Sequence, residues 1–471
     1  MANGTSIPHT DSTSPMSTVE SLTTEQTNDK TLETTMSQIT LNTPTTNTPL
    51  FVSELCRNHT NATGEAISRR ELWALANNTS QWLPEHLNRI SFGPIYNAFP
   101  AVDTFFALSG LLLTYLMMKE LKTNNGKLNW PMFYFHRFWR LTPPYMLILM
   151  VYVSLFPYIG EGPGWPKDGA EVNYCEHSWH RNFLYVNNLF VDGYDMCMAW
   201  SWYLANDMQF YVISPLILLP LFHYHLVGVA ILLAFLLGST IACGLLSAHD
   251  DLPASMFDGG NSQKFFNEYV KPWNRITPYL IGIYVGYLLY KTDCKVRINR
   301  FVNIFAWLAF TAVACTVLYG LHKDVTGDRL STDVAALYTA THRMVWGACV
   351  CWVIFACATG NGGIINTILS WKVFVPLSRL TYCAYLVHPI VIYYYLLRRQ
   401  RLIHFSDTEV TYEFLGHVVL SYAVALVASL VFESPMMGLE KALLKRKERK
   451  DEIVNVKVTE RLTKLGRDSN Y

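Results

Sequence analysis

The chain has 471 residues, of which 51% are hydrophobic, 14% are aromatic and 15% are charged. The charged fraction is well below the roughly 25% of an average soluble domain. A net charge of +1 gives no support to a nucleic-acid partner, which requires a strongly basic surface. Composition therefore indicates a membrane protein whose partners include membrane lipids.

The apolar residues are unevenly distributed along the chain. Residues 1–98 are polar and rich in Ser, Thr and Asn, a composition that predicts a mostly disordered tail because it cannot bury a core. Residues 99–440 form a series of apolar segments, and residues 441–471 form a basic tail. The first 30 residues contain no apolar run, so no signal peptide is expected.

The apolar segments have the length that crosses a bilayer as a helix. Because lipid offers the backbone no hydrogen bonds, the expected fold class is all-α, a polytopic transmembrane bundle of about nine helices. The expected spans are residues 99–118, 142–159, 199–221, 225–247, 274–291, 302–320, 343–360, 374–396 and 414–434.

Basic residues in the short loops predict the orientation of the bundle. The loops at 119–141 and 292–301 and the segment after residue 440 are rich in Lys and Arg, and such loops stay on the cytosolic side. The loop at 397–413 is an exception, because it contains three arginines. The basic residues of the other loops together outnumber these three and decide the orientation. The C-terminus is therefore expected in the cytosol, and the membrane is the plasma membrane or an endomembrane.

The opposite side is expected to be lumenal or extracellular and to include residues 1–98. Glycosylation sequons in this tail agree with that side; they begin at Asn58, Asn61, Asn77 and Asn78. Cys175 and Cys197 flank a loop on the same side and can form a disulfide there, which leaves Cys56 unpaired.

The segment Phe133–Tyr145 places His136, Arg137 and Arg140 among aromatic residues, between two apolar runs. Arg137 and Arg140 are three residues apart, so on a helix they share one face. Planar guanidinium groups at that spacing suit a phosphate-rich ligand at the headgroup level. The alternative is a positive-inside anchor that only sets topology.

Four stretches follow one another in a characteristic order. They are Val102–Tyr115, His136–Tyr145, Trp200–Tyr211 and Leu377–Pro389, with Arg275, Pro278, Gly282 and Gly286 between the last two. Over residues 99–435 this arrangement resembles the acyltransferase 3 superfamily of membrane O-acyltransferases, and the nose resistant to fluoxetine proteins are the closest animal branch. The resemblance implies that His136, Arg137 and Arg140 hold an acyl donor, with acyl-CoA as a co-substrate reached from the cytosol.

Two carboxylates are candidates for catalysis. Asp207 lies within the third expected span, where a carboxylate is costly and marks a functional site by default. It is expected to orient a base or an acceptor hydroxyl, or to pair with Arg275; a purely structural pair with an arginine is the alternative. Asp103 opens the first span near Ser109, and its alternative role is that of a helix N-terminal carboxylate.

His388 is the third catalytic candidate, because a histidine within the membrane can relay protons. It can equally be a hydrogen-bonded core residue that satisfies the carbonyl freed by Pro389. Trp202, Ser109, Arg275 and Arg379 are expected to complete the pocket. Arg343 is expected to snorkel at the start of its span. No Cys/His spacing resembles a zinc site, so no metal and no resident cofactor is predicted.

The resemblance also implies a span before Asp103 that carries a histidine, which acts as the general base on the acceptor hydroxyl. Residues 1–98 contain no apolar span of this kind, so the chain is expected to lack the usual first core helix. Two functions remain open: an O-acyltransferase that acylates a lipid or another hydroxyl-bearing acceptor, and a catalytically impaired protein of lipid handling or lipid transport. A third, an ion-coupled transporter, is disfavoured because no repeats are found.

Overall fold

The computed structural model describes residues 78–162, 165–166, 171–190, 196–255, 262–327, 330–401 and 403–443. Regular structure in these ranges is helical, with no strand, which confirms the all-α prediction. The predictions for the disordered tail up to residue 77, for Cys56 and for the first three sequons lie outside the described residues.

The helices follow one another with short connections. They are α1 Thr79–Leu87, α2 Gly93–Tyr96, α3 Pro100–Thr123, α4 Trp130–Leu155, α5 Val172–Phe183, α6 Trp202–Ile213, α7 Pro215–His223, α8 His225–His249, α9 Ser262–Tyr269, α10 Pro272–Lys291, α11 Arg300–Tyr319, α12 His322–Thr326, α13 Thr332–Ala358, α14 Gly363–Leu369, α15 Phe374–Leu397 and α16 Asp407–Ala428. A π-helical turn, Ser429–Glu433, continues α16.

Eight helical stretches in the described part of the chain are long and apolar enough to cross a membrane. They are Pro100–Thr123, Trp130–Tyr158, Ala199–His223, His225–His249, Arg300–Val325, Thr332–Ala358, Phe374–Leu397 and Asp407–Leu443. The ninth expected span, 274–291, coincides with α10. This helix is not among the eight apolar stretches, because Asn274 and Arg275 make it more polar. The chain is thus an integral multi-pass membrane protein, and nine spans is an approximate count.

Three expected spans begin seven or more residues earlier than the sequence pattern indicates, and one of them is α16, which starts at Asp407 instead of residue 414. α4 starts at Trp130 instead of residue 142, and Pro143 and Pro144 lie inside it, which membrane helices tolerate when their neighbours satisfy the freed carbonyls. α13 starts at Thr332 instead of residue 343. Arg343 therefore lies three turns into the helix and is only 5% exposed, so the expectation that it snorkels is wrong.

Consecutive spans run in alternate directions, which gives the bundle two ends. We call the end where α3 and α10 begin the tail end, because residues 78–99 attach there. The other is the basic end, where the loops 124–129 and 292–299 lie. α6 lies between two hydrophobic cores: Phe210 packs with residues of α3, α7 and α10 in one, and Leu204 packs with residues of α4, α15 and α16 in the other.

α3 and α10 run parallel and touch backbone to backbone. A Cβ atom added at Gly110 would overlap the Tyr279 carbonyl oxygen, and one added at Gly282 would overlap that of Ala107. Only glycine allows this approach, as in other membrane helix pairs. Gly110, Gly282 and Gly286 thus serve the close contact of α3 and α10.

The segment 78–99 packs onto the tail end. The Asn78 side chain donates to the Phe405 carbonyl at 2.8 Å and accepts the Phe405 N–H at 2.7 Å. On α1, His86 Nε2 lies 2.5 Å from Asp407 Oδ1. Both polar atoms of the Asn78 side chain are thus bonded to the backbone of the segment before α16.

Candidate functional site

A polar cluster occupies the middle of the bundle, where α3, α4 and α6 meet. Ser109 Oγ on α3 donates a hydrogen bond to Asp207 Oδ1 on α6 at 2.6 Å. Arg137 on α4 forms an ion pair with the other carboxylate oxygen of Asp207 and lies 3.4 Å from Ser109 Oγ. We call these three residues the central cluster.

Aromatic residues hold the guanidinium of the central cluster in place. Arg137 lies over the Tyr211 ring, 4.9 Å from its centroid, in cation–π geometry. Tyr211 stacks on Phe133 with ring centroids 4.4 Å apart. The Arg137 side chain is 26% exposed and that of Asp207 is 8% exposed, so the cluster is largely screened from its surroundings but accessible on the arginine side.

The two arginines of the Arg-x-x-Arg element have different environments. Arg137 is paired with Asp207, whereas Arg140 is exposed and has no hydrogen bond or ion pair to any residue in the described part of the chain. His136 is half exposed, and its Nδ1 lies 2.5 Å from Glu440 Oε1. A guanidinium that is held and one that is free therefore occur one helical turn apart.

Arg379 lies near this element. Tyr382 on α15 donates to the Leu141 carbonyl of α4 at 2.6 Å, which sets the two parallel helices side by side. Arg379 is one turn from Tyr382 toward the basic end and is exposed, without a bonded partner among the described residues. The free guanidinium groups of Arg140 and Arg379 thus belong to neighbouring stretches of adjacent helices.

A second charged cluster lies nearer the tail end and is fully buried. Arg275 Nη1 on α10 donates to both oxygens of Asp103 on α3, at 2.9 and 3.0 Å, and both side chains are 0% exposed. Arg275 Nε donates to the Tyr269 carbonyl at 2.8 Å. The guanidinium also lies 3.7 Å from the Tyr269 ring centroid and 5.2 Å from that of Trp202.

The pairing of charges differs from one of the sequence-based alternatives. Asp207 pairs with Arg137 and not with Arg275, because Arg275 lies at the level of Asp103. Asp103 and Ser109 are six residues apart on one helix, about 9 Å along its axis. Asp103 is consequently more than a helix N-terminal carboxylate, and Trp202 belongs with Asp103 and Arg275 and not with Asp207.

His388 on α15 lies apart from both clusters. Its Nδ1 is 2.8 Å from the Tyr385 carbonyl and 3.2 Å from that of Ala384. Residue 385 is four positions before Pro389, which has no N–H, so the Tyr385 carbonyl lacks its helical donor. His388 supplies that donor, in agreement with the reading of a hydrogen-bonded core residue.

Sequence reasoning missed a buried carboxyl group in the loop on the tail-end side. Glu171 Oε2 accepts the backbone N–H of Met198 at 2.7 Å. Burial raises the pKa of Glu171 to about 7, against the opposing effect of the backbone N–H groups of Met198 and Ala199. The same loop contains the disulfide between Cys175 and Cys197, which confirms that predicted pairing.

Within the described residues, no group of three or more His, Cys, Asp or Glu side chains has an arrangement that suits a metal ion. The central cluster consists of a carboxylate, a hydroxyl and a guanidinium, which can orient a hydroxyl, stabilise negative charge, and bind phosphate or carboxylate groups.

Comparison with known proteins identifies similar chains. Residues 72–434 match the acyltransferase 3 family, described as an acyltransferase domain. Nose resistant to fluoxetine protein 6 of Caenorhabditis elegans is 34% identical over 374 residues, which are 74% of this chain and 45% of that protein. Regulator of hypoxia-inducible factor 1 of Caenorhabditis elegans is 23% identical over 325 residues, 63% of this chain and 60% of that protein.

A bacterial relative also aligns. Peptidoglycan O-acetyltransferase OatA of Listeria monocytogenes is 26% identical over 242 residues, 48% of this chain and 36% of that protein. The chain thus spans between 36% and 60% of the length of these three relatives. No solved structure matches.

Proposed function

The chain belongs to the acyltransferase 3 family, and from this premise we propose that it is a membrane O-acyltransferase. It transfers an acyl group from an acyl-CoA donor at the basic end to a hydroxyl-bearing acceptor, a lipid or another molecule, held in the bundle. The observation that carries the proposal is the central cluster: a buried carboxylate that already binds a hydroxyl at 2.6 Å, next to a guanidinium group and within one turn of a free arginine.

The basic end supplies the donor site. Its loops carry Lys127 and Lys295, and basic loops face the cytosol, where coenzyme A is found. Arg140 and Arg379 are exposed and are the free guanidinium groups near the Arg-x-x-Arg element. Guanidinium groups bind phosphate oxygens through two parallel hydrogen bonds, so these two residues bind the phosphates of the donor.

The central cluster acts on the acyl group and the acceptor. The acceptor oxygen attacks the thioester carbonyl carbon, the carbon–sulfur bond breaks, and the acceptor proton passes to the departing sulfur, so that coenzyme A leaves as the thiol. Asp207 orients the acceptor hydroxyl as it now orients that of Ser109. Arg137 stabilises the negative charge that develops on the carbonyl oxygen, as preorganised donors do in acyl transfer.

A second function is favoured by one observation. Within the described residues, no histidine forms a hydrogen bond to the central cluster, and the nearest expected candidate, His388, binds backbone carbonyls instead. A chain without a base at this place handles or carries acyl-linked lipids without transferring the acyl group. That alternative shares the donor site with the enzyme and differs from it in producing no acylated product.

Donor binding is tested with radiolabelled acyl-CoA on the purified chain in detergent. Arg140→Gln and Arg379→Gln are each expected to weaken binding about 10- to 100-fold, because a hydrogen bond to a charged group contributes about 1.5–3 kcal/mol. Arg297→Gln, an exposed arginine at the same end of the bundle, is the matched control and should bind normally. Equal affinities of wild type, Arg140→Gln and Arg379→Gln would refute the donor site.

Transfer is tested separately. The lipids and glycans of cells with and without the gene are compared for acylation, and the comparison is repeated with Ser109→Ala and Asp207→Asn. An acylated species that depends on the gene and on Asp207 supports the enzyme. Donor binding without any gene-dependent acylated species supports lipid handling and refutes acyl transfer.

A further inference from the structure

Arg343 is a buried arginine without a carboxylate partner in the described part of the chain. It lies inside α13, 5% exposed. Its Nη1 reaches only the Thr339 carbonyl of the same helix, at 3.4 Å, and its buried Nε has no hydrogen-bond acceptor among the described residues. Arginine stays protonated in proteins, so a full positive charge is buried there.

The neighbouring charges do not balance Arg343. Asp103 directs both of its oxygens to Arg275 Nη1, so its charge is already paired. Arg275 adds repulsion to Arg343. Within the trio of Asp103, Arg275 and Arg343, one carboxylate thus faces two guanidinium groups, a costly arrangement inside a membrane protein. The other carboxylate nearby, Glu268, accepts from Asn274 and Trp273 instead.

Arg343 borders a small cavity of about 20 Å³ that opens toward the tail end. Its lining includes Thr339, Cys243, Asn274, Glu268 and Tyr269. A cavity holds a water-sized occupant when this volume exceeds about 10–15 Å³. The space is therefore sufficient for one small ion and too small for a headgroup.

Other polar groups of the lining are already bonded. The Cys243 thiol donates to Asn274 Oδ1 at 2.5 Å. The Asn274 amide donates to the Glu268 carbonyl at 2.6 Å and lies 3.2 Å from Glu268 Oε2, which also accepts from Trp273 at 3.3 Å. Glu268 Oε2 is thus held by other donors, whereas the buried Nε of Arg343 has no acceptor among the described residues.

We propose that this cavity is a binding site for one small monovalent anion of chloride size, held by Arg343 and reached from the tail end. The anion neutralises the excess charge of the cluster of Asp103, Arg275 and Arg343. The site lies away from the central cluster and does not depend on the acyl-transfer proposal. An anion there stabilises the packing of α3, α8, α10 and α13 at the tail end.

Binding is measured directly with radiolabelled chloride on the purified chain in detergent. The wild type is expected to bind one chloride per chain, saturably, with displacement by bromide but not by gluconate, which is too large for the cavity. Arg343→Gln is expected to lower the affinity at least tenfold, Arg343→Lys to retain binding within a few-fold, and Arg297→Gln to bind as the wild type does. Unsaturable binding by the wild type, or equal affinity in Arg343→Gln, would overturn the site.

A second measurement needs no folded Arg343→Gln variant. At equal ionic strength, replacing gluconate by chloride is expected to raise the melting temperature of the wild type by about 2 °C or more, since a ligand of the native state stabilises it. Glu268→Gln removes a nearby negative charge and is expected to tighten chloride binding. No difference between chloride and gluconate would contradict the proposal and make Glu268 the counter-ion of Arg343. Weaker chloride binding in Glu268→Gln would also contradict it.

Discussion

Replacing Asp103 by Asn tests how much the buried ion pair with Arg275 contributes to stability. Both side chains are 0% exposed, and two hydrogen bonds of 2.9 and 3.0 Å join them. Each charge-assisted bond contributes about 1.5–3 kcal/mol, and breaking a buried pair by removing one partner costs about 3–5 kcal/mol. We therefore expect Asp103→Asn to lower the free energy of unfolding by about 3–5 kcal/mol.

A double substitution distinguishes the energy lost with the ion pair from the energetic cost of leaving one buried charge unpaired. Asp103→Leu combined with Arg275→Met removes both charges and keeps the approximate volume. It should recover about half of the loss, because the Tyr269 carbonyl, which accepts from Arg275 Nε at 2.8 Å, remains without a donor at a cost of about 1–3 kcal/mol. The two single substitutions should therefore be strongly non-additive.

The assay is equilibrium unfolding of the purified chain in mixed micelles with increasing sodium dodecyl sulfate, followed by tryptophan fluorescence. Asp293→Asn, at an exposed position in the loop at the basic end, is the matched control and should change stability by less than about 0.5 kcal/mol. If the free energy of unfolding of Asp103→Asn stayed within about 1 kcal/mol of the wild type, the conclusion that this buried ion pair stabilises the bundle would be refuted.

Three further substitutions have defined outcomes. Burial raises the pKa of Glu171 from 4.5 to about 7, so its contribution to stability is complete below pH 4.5 and is lost as pH rises through 7. The free energy of unfolding falls by about 3 kcal/mol at most. The melting temperature should therefore decrease from pH 5 to pH 8, and Glu171→Gln should reduce this dependence on pH. Gly282→Val should destabilise the α3–α10 contact, because its side chain would overlap the Ala107 carbonyl. The expected result is a reduced yield of monodisperse protein in gel filtration. Gly238→Val is the control, because nothing lies within 4 Å of a Cβ atom added there. Cys197→Ser removes the disulfide to Cys175, which closes a loop with a sequence separation of 22, and should cost about 3 kcal/mol in the same unfolding assay, whereas an unchanged midpoint would contradict it.

The sequence is sufficient to predict the bundle because each span is recognised by its own composition. Helix existence follows from apolar length, and the Gly110 and Gly282 contacts follow from residue type. The helix starts at Trp130 and Thr332 were missed for one reason. Polar residues at the head of a helix look like loop residues in a sequence, whereas in the folded chain some of them, such as Arg137, pair with residues of other helices.

The sequence predicts the site residues better than it predicts their partners. A charged residue within an apolar run marks a candidate site, as Asp103, Asp207 and Arg137 do. Which carboxylate meets which arginine depends on the packing of helices that are far apart in sequence, and no local pattern encodes it. Arg343 is also a charge inside an apolar segment. The sequence pattern, however, places the start of this span at residue 343 and so predicts that Arg343 lies at the membrane surface.

The docking of segment 78–99 has a consequence for the order in which the chain is assembled. Asn78 and Phe405 are 327 positions apart, and His86 and Asp407 are 321 positions apart. At a synthesis rate of about 5–20 residues per second, roughly 15–65 s pass between the making of one partner and the other. During that interval Asn78 and His86 lack these two partners, although Asn97 of the same segment can already contact Val317. The contacts of Asn78 and His86 therefore form only once the start of α16 is made, as a late step of biogenesis.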